Sequence, residues 1–165
     1  MRPPRAVALP LLVVLAVVLQ ATVMARLPLP GSAPDLVLVA VVAVGLVDGP
    51  RTAMLTGFAA GLLADLAGDA EVGRLALVYV VVGFLAGLVQ DDANSSPLVP
   101  AAVAGALAAL AVLLYAGEGV LLSDPRITGG ALWRSLVSTV PYCAVLATVV
   151  FPLVGALLRR ADRRL

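Results

Sequence analysis

Residues 55–65 read LTGFAAGLLAD, and residues 82–91 repeat much of that pattern as VGFLAGLVQD. Each stretch contains two glycines four residues apart, which puts both on one face of a helix. In lipid, such GxxxG faces allow two helix backbones to approach closely. The pattern predicts two successive helices that pack through small residues, either against each other or against a helix of a partner. The four glycines are Gly57, Gly61, Gly83 and Gly87.

The composition indicates that these helices lie in a membrane. Hydrophobic residues make up 62% of the 165 residues, charged residues make up 13%, and mean hydropathy is +1.09. An ordinary globular domain has about 45–50% apolar residues, and a small soluble domain leaves too much surface in water to hide such an excess. We therefore predict an all-α, polytopic membrane protein that forms a single integral membrane domain over residues 1–165.

Six apolar stretches, separated by segments rich in Gly, Pro, Asp and Ser, predict about six transmembrane helices. The expected ranges are 6–25, 34–48, 51–66, 75–89, 98–115 and 131–158. The second and third stretches are shorter than the roughly 20 residues that cross a bilayer. They are either two short spans, which we favour, or a hairpin that re-enters the membrane. The first is longer than the apolar region of a typical signal peptide, which favours an uncleaved helix.

The distribution of arginines predicts the orientation in the membrane. Seven of the eleven basic residues, all of them arginines, fall on the side that holds both termini. They are Arg2, Arg5, Arg51, Arg159, Arg160, Arg163 and Arg164. Because loops rich in arginine stay on the cytoplasmic side, we expect both termini to be cytoplasmic.

The sequence offers few residues for catalysis. Histidine is absent and Cys143 is the only cysteine, which excludes His-ligated zinc, a Ser-His-Asp triad and an intrachain disulfide. The net charge of +1 gives no indication of a nucleic-acid partner. Asp65 is a candidate because an ionisable group at membrane depth is costly. A simpler interpretation makes it a helix-end residue or an ion-pair partner of Arg74.

One enzyme signature is partly present. Gly61, Asp65 and Asp69 match the second half of the CDP-alcohol phosphotransferase motif, and Asp48 begins a segment like its first half. That chemistry needs four clustered carboxylates that hold divalent metal ions. Gly45 stands where one of these carboxylates belongs, and the Ala-Arg pair that should follow is missing. We therefore predict no catalytic, metal-binding or cofactor-binding residues.

The order and spacing of three segments resemble the rod shape-determining protein MreD family. These are PDLVLV at 34–39, GLVDGPR at 45–51 and GFAAGLLAD at 57–65, and the resemblance continues to residue 88. It implies a small multi-pass protein of the bacterial inner membrane, without catalytic activity, in the machinery that inserts lateral-wall peptidoglycan. It also implies a fold resembling the six-helix substrate-binding subunits of energy-coupling-factor transporters.

The resemblance further implies partners. They are an MreC-like shape protein and, through it, MreB filaments, the RodA glycosyltransferase and a class B penicillin-binding protein. Our hypothesis is that the glycine faces dock the transmembrane helix of the MreC-like protein. The helix-packing or partner-interface candidates are Gly57, Gly61, Gly83, Gly87, Asp65 and Arg51. The alternative function is a vitamin-binding subunit of an energy-coupling-factor transporter, which needs polar and aromatic groups around a pocket; only 4% of residues are aromatic.

Overall fold

The chain folds into an all-helical bundle in the part that the computed structural model describes. That part comprises residues 5–26, 31–68, 72–93, 95–96, 98–122, 124 and 128–162. Its six α-helices are α1 (Arg5–Thr22), α2 (Leu36–Asp48), α3 (Pro50–Ala67), α4 (Arg74–Leu88), α5 (Leu98–Leu121) and α6 (Gly129–Asp162). Short 3-10 turns follow α1 (Met24–Arg26) and α4 (Gln90–Asp92). The all-α class is therefore as predicted.

The helix ends differ from the predicted ranges most clearly in α5. We expected α5 to stop at residue 115, but it continues to Leu121 through two glycines. The second of these, Gly119, is buried, and the carbonyl oxygen of Tyr115 accepts a hydrogen bond from Arg74. Contacts with neighbouring elements therefore hold the helix together past residues of low helix propensity. The other ends differ by no more than four residues, the largest difference being α6, which was expected to end at 158 and ends at Asp162.

The turn between α2 and α3 explains why two short helices follow each other so closely. Gly49 is the only residue between them and has a φ of 84°, a left-handed value that glycine adopts without steric cost. Pro50 then occupies the first turn of α3, where its missing N–H is not needed. At the other end of α2, the Asp35 carboxylate accepts the Leu38 N–H at 2.9 Å and caps the helix.

The core of the bundle is α2. Ten of its 13 residues are buried, and it contacts each of the other five helices. A helix that is apolar on every side is stable both in the interior and against lipid, so the contacts with the other helices, and not low polarity, show that α2 is central. Asp35 and Asp48 mark its two ends.

Length and composition identify two helices that can cross a membrane, Leu98–Leu121 and Gly129–Arg160. Three shorter apolar helices accompany them: Val7–Thr22, Leu36–Asp48 and Arg74–Leu88. Large apolar side chains point outward from the bundle, and Leu55 and Trp133 are about 70% exposed (68% and 70%). Contiguous exposed apolar surface of this kind fits lipid contact, so the structure is consistent with a membrane protein.

The connections define two ends of the bundle. The start of α1, the end of α6 and the α2–α3 and α4–α5 connections lie at one end, which we call the termini end. The α1–α2, α3–α4 and α5–α6 connections lie at the opposite end, which we call the far end. At the far end the α1–α2 connection is tied to α6, because the Ser32 N–H donates to Ser138 Oγ at 2.9 Å and the Ser32 and Ser135 hydroxyls lie 3.0 Å apart.

Candidate functional site: a glycine-packed helix pair, a polar cavity and a lateral groove

The two GxxxG pairs lie in the contact between α3 and α4. A Cβ atom built on Gly57 would overlap the carbonyl oxygen of Tyr79, and one on Gly61 would overlap Ala76 Cα. In the reverse direction, a Cβ on Gly83 would lie 2.6 Å from the Ala53 carbonyl oxygen. Each glycine therefore meets backbone of the facing helix, which cannot move aside as a flexible side chain can.

This geometry bears directly on the docking hypothesis. All four glycines are buried, and the faces that carry them are filled by the chain's own backbone. A partner's helix cannot reach these glycines while α3 and α4 remain packed. The small-residue spacing in the sequence thus corresponds to packing within the bundle.

Asp65 lies at the end of α3, where it holds the start of α4. Its side chain is 1% exposed, and Oδ2 accepts the Gly73 N–H at 2.8 Å and the Ala76 N–H at 3.4 Å. Oδ1 accepts the Leu75 N–H at 3.2 Å. The first N–H groups of a helix have no partner within the helix, and glycine at the cap position has no side chain to offer them. Asp65 supplies the missing cap from the neighbouring helix, and its negative charge is favourable at a helix N-terminus.

Arg74, considered from the sequence as a partner of Asp65, forms an ion pair with Asp124. Its Nη1 lies 3.2 Å from Asp124 Oδ2, and the side chain is 8% exposed. The guanidinium also lies over the Tyr115 ring, 4.2 Å from the ring centroid, and its Nη2 donates to the Tyr115 carbonyl at 3.3 Å. Arg74 thereby connects α4 to the last turns of α5 and to the α5–α6 connection. Asp69, the other acid of the phosphotransferase-like motif, lies outside the described residues.

A polar network at the far end was not predicted as a site. The Tyr79 hydroxyl donates to Asp35 Oδ2 at 2.7 Å, while Leu38 occupies Oδ1. Gln20 bridges α1 to the start of α2, because its amide donates to the Pro34 carbonyl at 3.1 Å and accepts the Leu36 N–H at 2.8 Å. Two signals were available in the sequence: an Asp directly before an apolar run, which is typical of a helix cap, and a lone Gln in an apolar helix.

This network borders a cavity of about 350 Å³ between α2, α4, α5 and α6. Its apolar lining includes Leu38, Val78 and several alanines of α5, and its polar lining includes Asp35, Tyr79 and Thr139. The volume falls in the lower part of the range of small-molecule sites, which are mostly apolar with a few fixed polar groups. The cavity thus has the size and the mixed lining of a ligand site.

A second concave surface lies on the side of the bundle between α1 and α3. It is a groove of about 540 Å³ lined by Leu9, Pro10, Val13, Val14, Arg51, Thr52, Leu55, Thr56, Ala59 and Leu63. Arg51, one of the predicted interface residues, is exposed at the termini end of this groove. The groove uses the face of α3 that points away from the glycines, so both faces of α3 have a distinct role.

Comparison with known proteins supplies one match. The family model described as rod shape-determining protein MreD matches residues 4–161, nearly the whole chain. No curated protein and no solved structure matches significantly. The expected likeness to energy-coupling-factor subunits therefore stays a prediction.

Proposed function

Because this chain belongs to the MreD family of rod shape-determining proteins, we propose that it is a non-enzymatic membrane scaffold of the cell-elongation machinery. A role in determining rod shape follows from family membership. The scaffold links an MreC-like shape protein to lateral peptidoglycan synthesis and, through that protein, to MreB filaments, the RodA glycosyltransferase and a class B penicillin-binding protein. The observation that carries this proposal is the family match over residues 4–161.

The proposed topology is multi-pass, with six spans and both termini in the cytoplasm of a bacterium. Arg51, Arg159 and Arg160 are exposed at the termini end, where the positive-inside rule puts the cytoplasm. At the far end, the charge of Arg74 is compensated by Asp124. Arg26 and Arg134 are also exposed at the far end. The orientation is therefore supported by the count of arginines, seven of eleven on the side of the termini.

We further propose that the groove between α1 and α3 receives the transmembrane helix of the MreC-like partner. The glycine faces are filled within the bundle, whereas this groove is open and its wall includes Leu55, which is 68% exposed. Helix association in lipid depends on van der Waals packing, so a concave apolar surface gains more contact than a convex one. Thr52 and Thr56 add hydroxyl groups to the floor, and Arg51 lies where the partner's cytoplasmic end would begin.

Co-purification from membranes tests the docking surface. Ala59 is exposed and lines the groove, so Ala59→Trp should fill the groove without disturbing the core. We expect this variant to lose the MreC-like partner while it inserts at a normal level. Leu113→Trp is the matched control, because Leu113 is an exposed apolar residue of α5 and does not line the groove. Retention of the partner by Ala59→Trp would reject the groove as the docking surface.

Cell shape tests the function itself. Depletion of this protein from its host should turn rods into round cells, and expression of the wild-type chain should restore rods. Cells that remain rod-shaped after depletion would contradict the proposed scaffold role. If the wild type restores rods but Ala59→Trp does not, the groove is required for shape as well as for partner binding.

A further inference from the structure

Among the described residues that line the far-end cavity, Asp35 is the only one with a charged side chain. It accepts the Leu38 N–H and the Tyr79 O–H, and the Val37 N–H also interacts with it, so its partners are neutral donors. Among the described residues, Asp35 has no ion-pair partner. The nearby Arg74 is paired with Asp124 and stacked on Tyr115. A carboxylate has about four lone-pair positions, so Asp35 keeps acceptor capacity on the cavity side.

A carboxylate without a cation is costly away from bulk water. Its charge loses hydration on burial, and the neutral donors and the N-terminus of α2 replace that hydration only in part. A cationic group in the cavity would offset this cost. A divalent metal ion is a poor fit, because the described residues contain no group of three His, Cys, Asp or Glu side chains that could hold one. An organic ammonium needs only one carboxylate and a few neutral acceptors.

Helix α6 supplies a neutral acceptor to the cavity lining. Thr139 lines the cavity and is 7% exposed, and its hydroxyl has no hydrogen-bond partner among the described residues. A hydroxyl that lines a cavity can donate to or accept from a polar group bound there. The apolar part of the lining includes Leu38 and the small side chains of Ala108 and Ala111.

From this arrangement we propose that the far-end cavity binds a small amphipathic amine, with its ammonium group at Asp35 and its apolar body against α5. The cavity volume of about 350 Å³ limits the bound part to a small molecule or to the headgroup of a lipid. The same ammonium chemistry is supplied by a free amine and by an ethanolamine lipid. This binding is separate from the scaffold role, which depends on the groove between α1 and α3.

The test uses the full-length protein in detergent, titrated with 2-phenylethylamine and with 2-phenylethanol as its neutral analogue. Calorimetry should give saturable binding at one site for the amine and binding at least about tenfold weaker for the alcohol, since hydrogen bonds to charged groups are the stronger class. Equal affinities for the amine and the alcohol would overturn the proposal. The proposal would also be overturned if the amine shows no saturable binding and the protein shows no preference for ethanolamine lipid in nanodiscs.

Variants assign the site to Asp35. Asp35→Asn removes the charge and keeps one acceptor oxygen for the helix cap, since Asn is also a favoured cap residue. Its NH2 group can donate to the Tyr79 hydroxyl, which then acts as the acceptor. It should weaken amine binding by about tenfold or more. Asp91→Asn is the matched control, because Asp91 is an exposed acid at the termini end. Unchanged amine binding in Asp35→Asn would reject Asp35 as the recognition group.

Ala111→Leu, which narrows the cavity, should also weaken amine binding. Binding by this variant at wild-type strength would place the amine elsewhere.

Lipid nanodiscs distinguish the two sources of the amine. Native mass spectrometry of protein released from equal mixtures of phosphatidylethanolamine and phosphatidylcholine should show retained ethanolamine lipid if a headgroup is the ligand. Loss of that preference in Asp35→Asn would support a lipid headgroup. Saturable binding of the free amine with no lipid preference would support a soluble ligand. Cell shape is scored separately, so failure of amine binding leaves the scaffold proposal to its own test.

Discussion

Glycine occurs both in the contact between α3 and α4 and in the contact between α5 and α6. The two contacts differ in the space that they leave for a side chain at the glycine. In the α3–α4 contact, a Cβ on Gly87 would overlap the backbone of Pro50, and one on Gly61 would overlap the backbone of Ala76. In the α5–α6 contact, a Cβ on Gly105 would lie 3.5 Å from Ala144 Cβ, an ordinary van der Waals distance. In the first contact the two backbones lie so close that no side chain fits between them. The second contact leaves room for side chains, and it lies beside the cavity.

This difference shows where the bundle is rigid and where it has space. Interiors are close-packed, so a contact with no room for a methyl group admits no partner and no ligand. The α3–α4 pair therefore serves as the fixed part of the fold. The two candidate sites lie on either side of it: the groove uses the outer face of α3, and Val78 and Tyr79 of α4 line the cavity.

Gly87→Ala is the substitution expected to do the most damage to this arrangement. The added methyl group meets the Pro50 backbone at the α2–α3 turn, where neither side can rotate away. We expect a loss of at least about 3 kcal/mol in the free energy of unfolding, at the upper end of overpacking effects. Circular dichroism of thermal unfolding in detergent measures it. A loss below about 1 kcal/mol would mean that the two helices separate easily.

Asp65→Leu should have the second largest effect. Leucine leaves three backbone N–H groups at the start of α4 without their acceptor, in a position that is 1% exposed. We expect a loss of about 2–4 kcal/mol in the free energy of unfolding, because each buried unsatisfied donor is costly and water can relieve only part of that cost. Asp65→Asn, which keeps one acceptor oxygen, should lose less.

Asp92→Asn is the matched control for Asp65. Asp92 is also an acid beside a helix end, but its side chain is exposed in the turn after α4. Its replacement should change the free energy of unfolding by less than about 0.5 kcal/mol, as is usual at surface positions. Equal losses for Asp65→Leu and Asp92→Asn would contradict the capping role of Asp65.

Apart from the Asp92 control, Gly105→Ala should have the smallest effect on the free energy of unfolding, and the effect should be of opposite sign. The new methyl group fits at normal contact distance, and alanine has the higher helix propensity. We expect a gain of about 0.5–1 kcal/mol in the free energy of unfolding, measured by the same thermal experiment. A loss larger than about 1 kcal/mol would show that α5 and α6 are packed as tightly as α3 and α4.

Local patterns predicted the helices well because a helix is a local structure. Apolar runs bounded by Pro, Gly and Asp located all six, and Pro50 marked the start of α3. The end of α5 was missed because propensity is a weak prior that contacts override: Arg74 holds the carbonyl of Tyr115, far along the chain. The sequence also singled out Asp65, but its three partners lie in a different helix.

What the sequence by itself determined is the class of the molecule: an apolar all-helical chain, two helices with close-packing faces and membership in a family of shape proteins. Only the tertiary structure decided what those faces meet. The spacing of Gly57 and Gly61 is a property of one helix, whereas the backbone opposite them depends on how six helices are arranged. For the same reason, Asp35 becomes part of a cavity only when α4, α5 and α6 enclose it. Periodicity acts over a few residues, while burial and pairing depend on the whole fold.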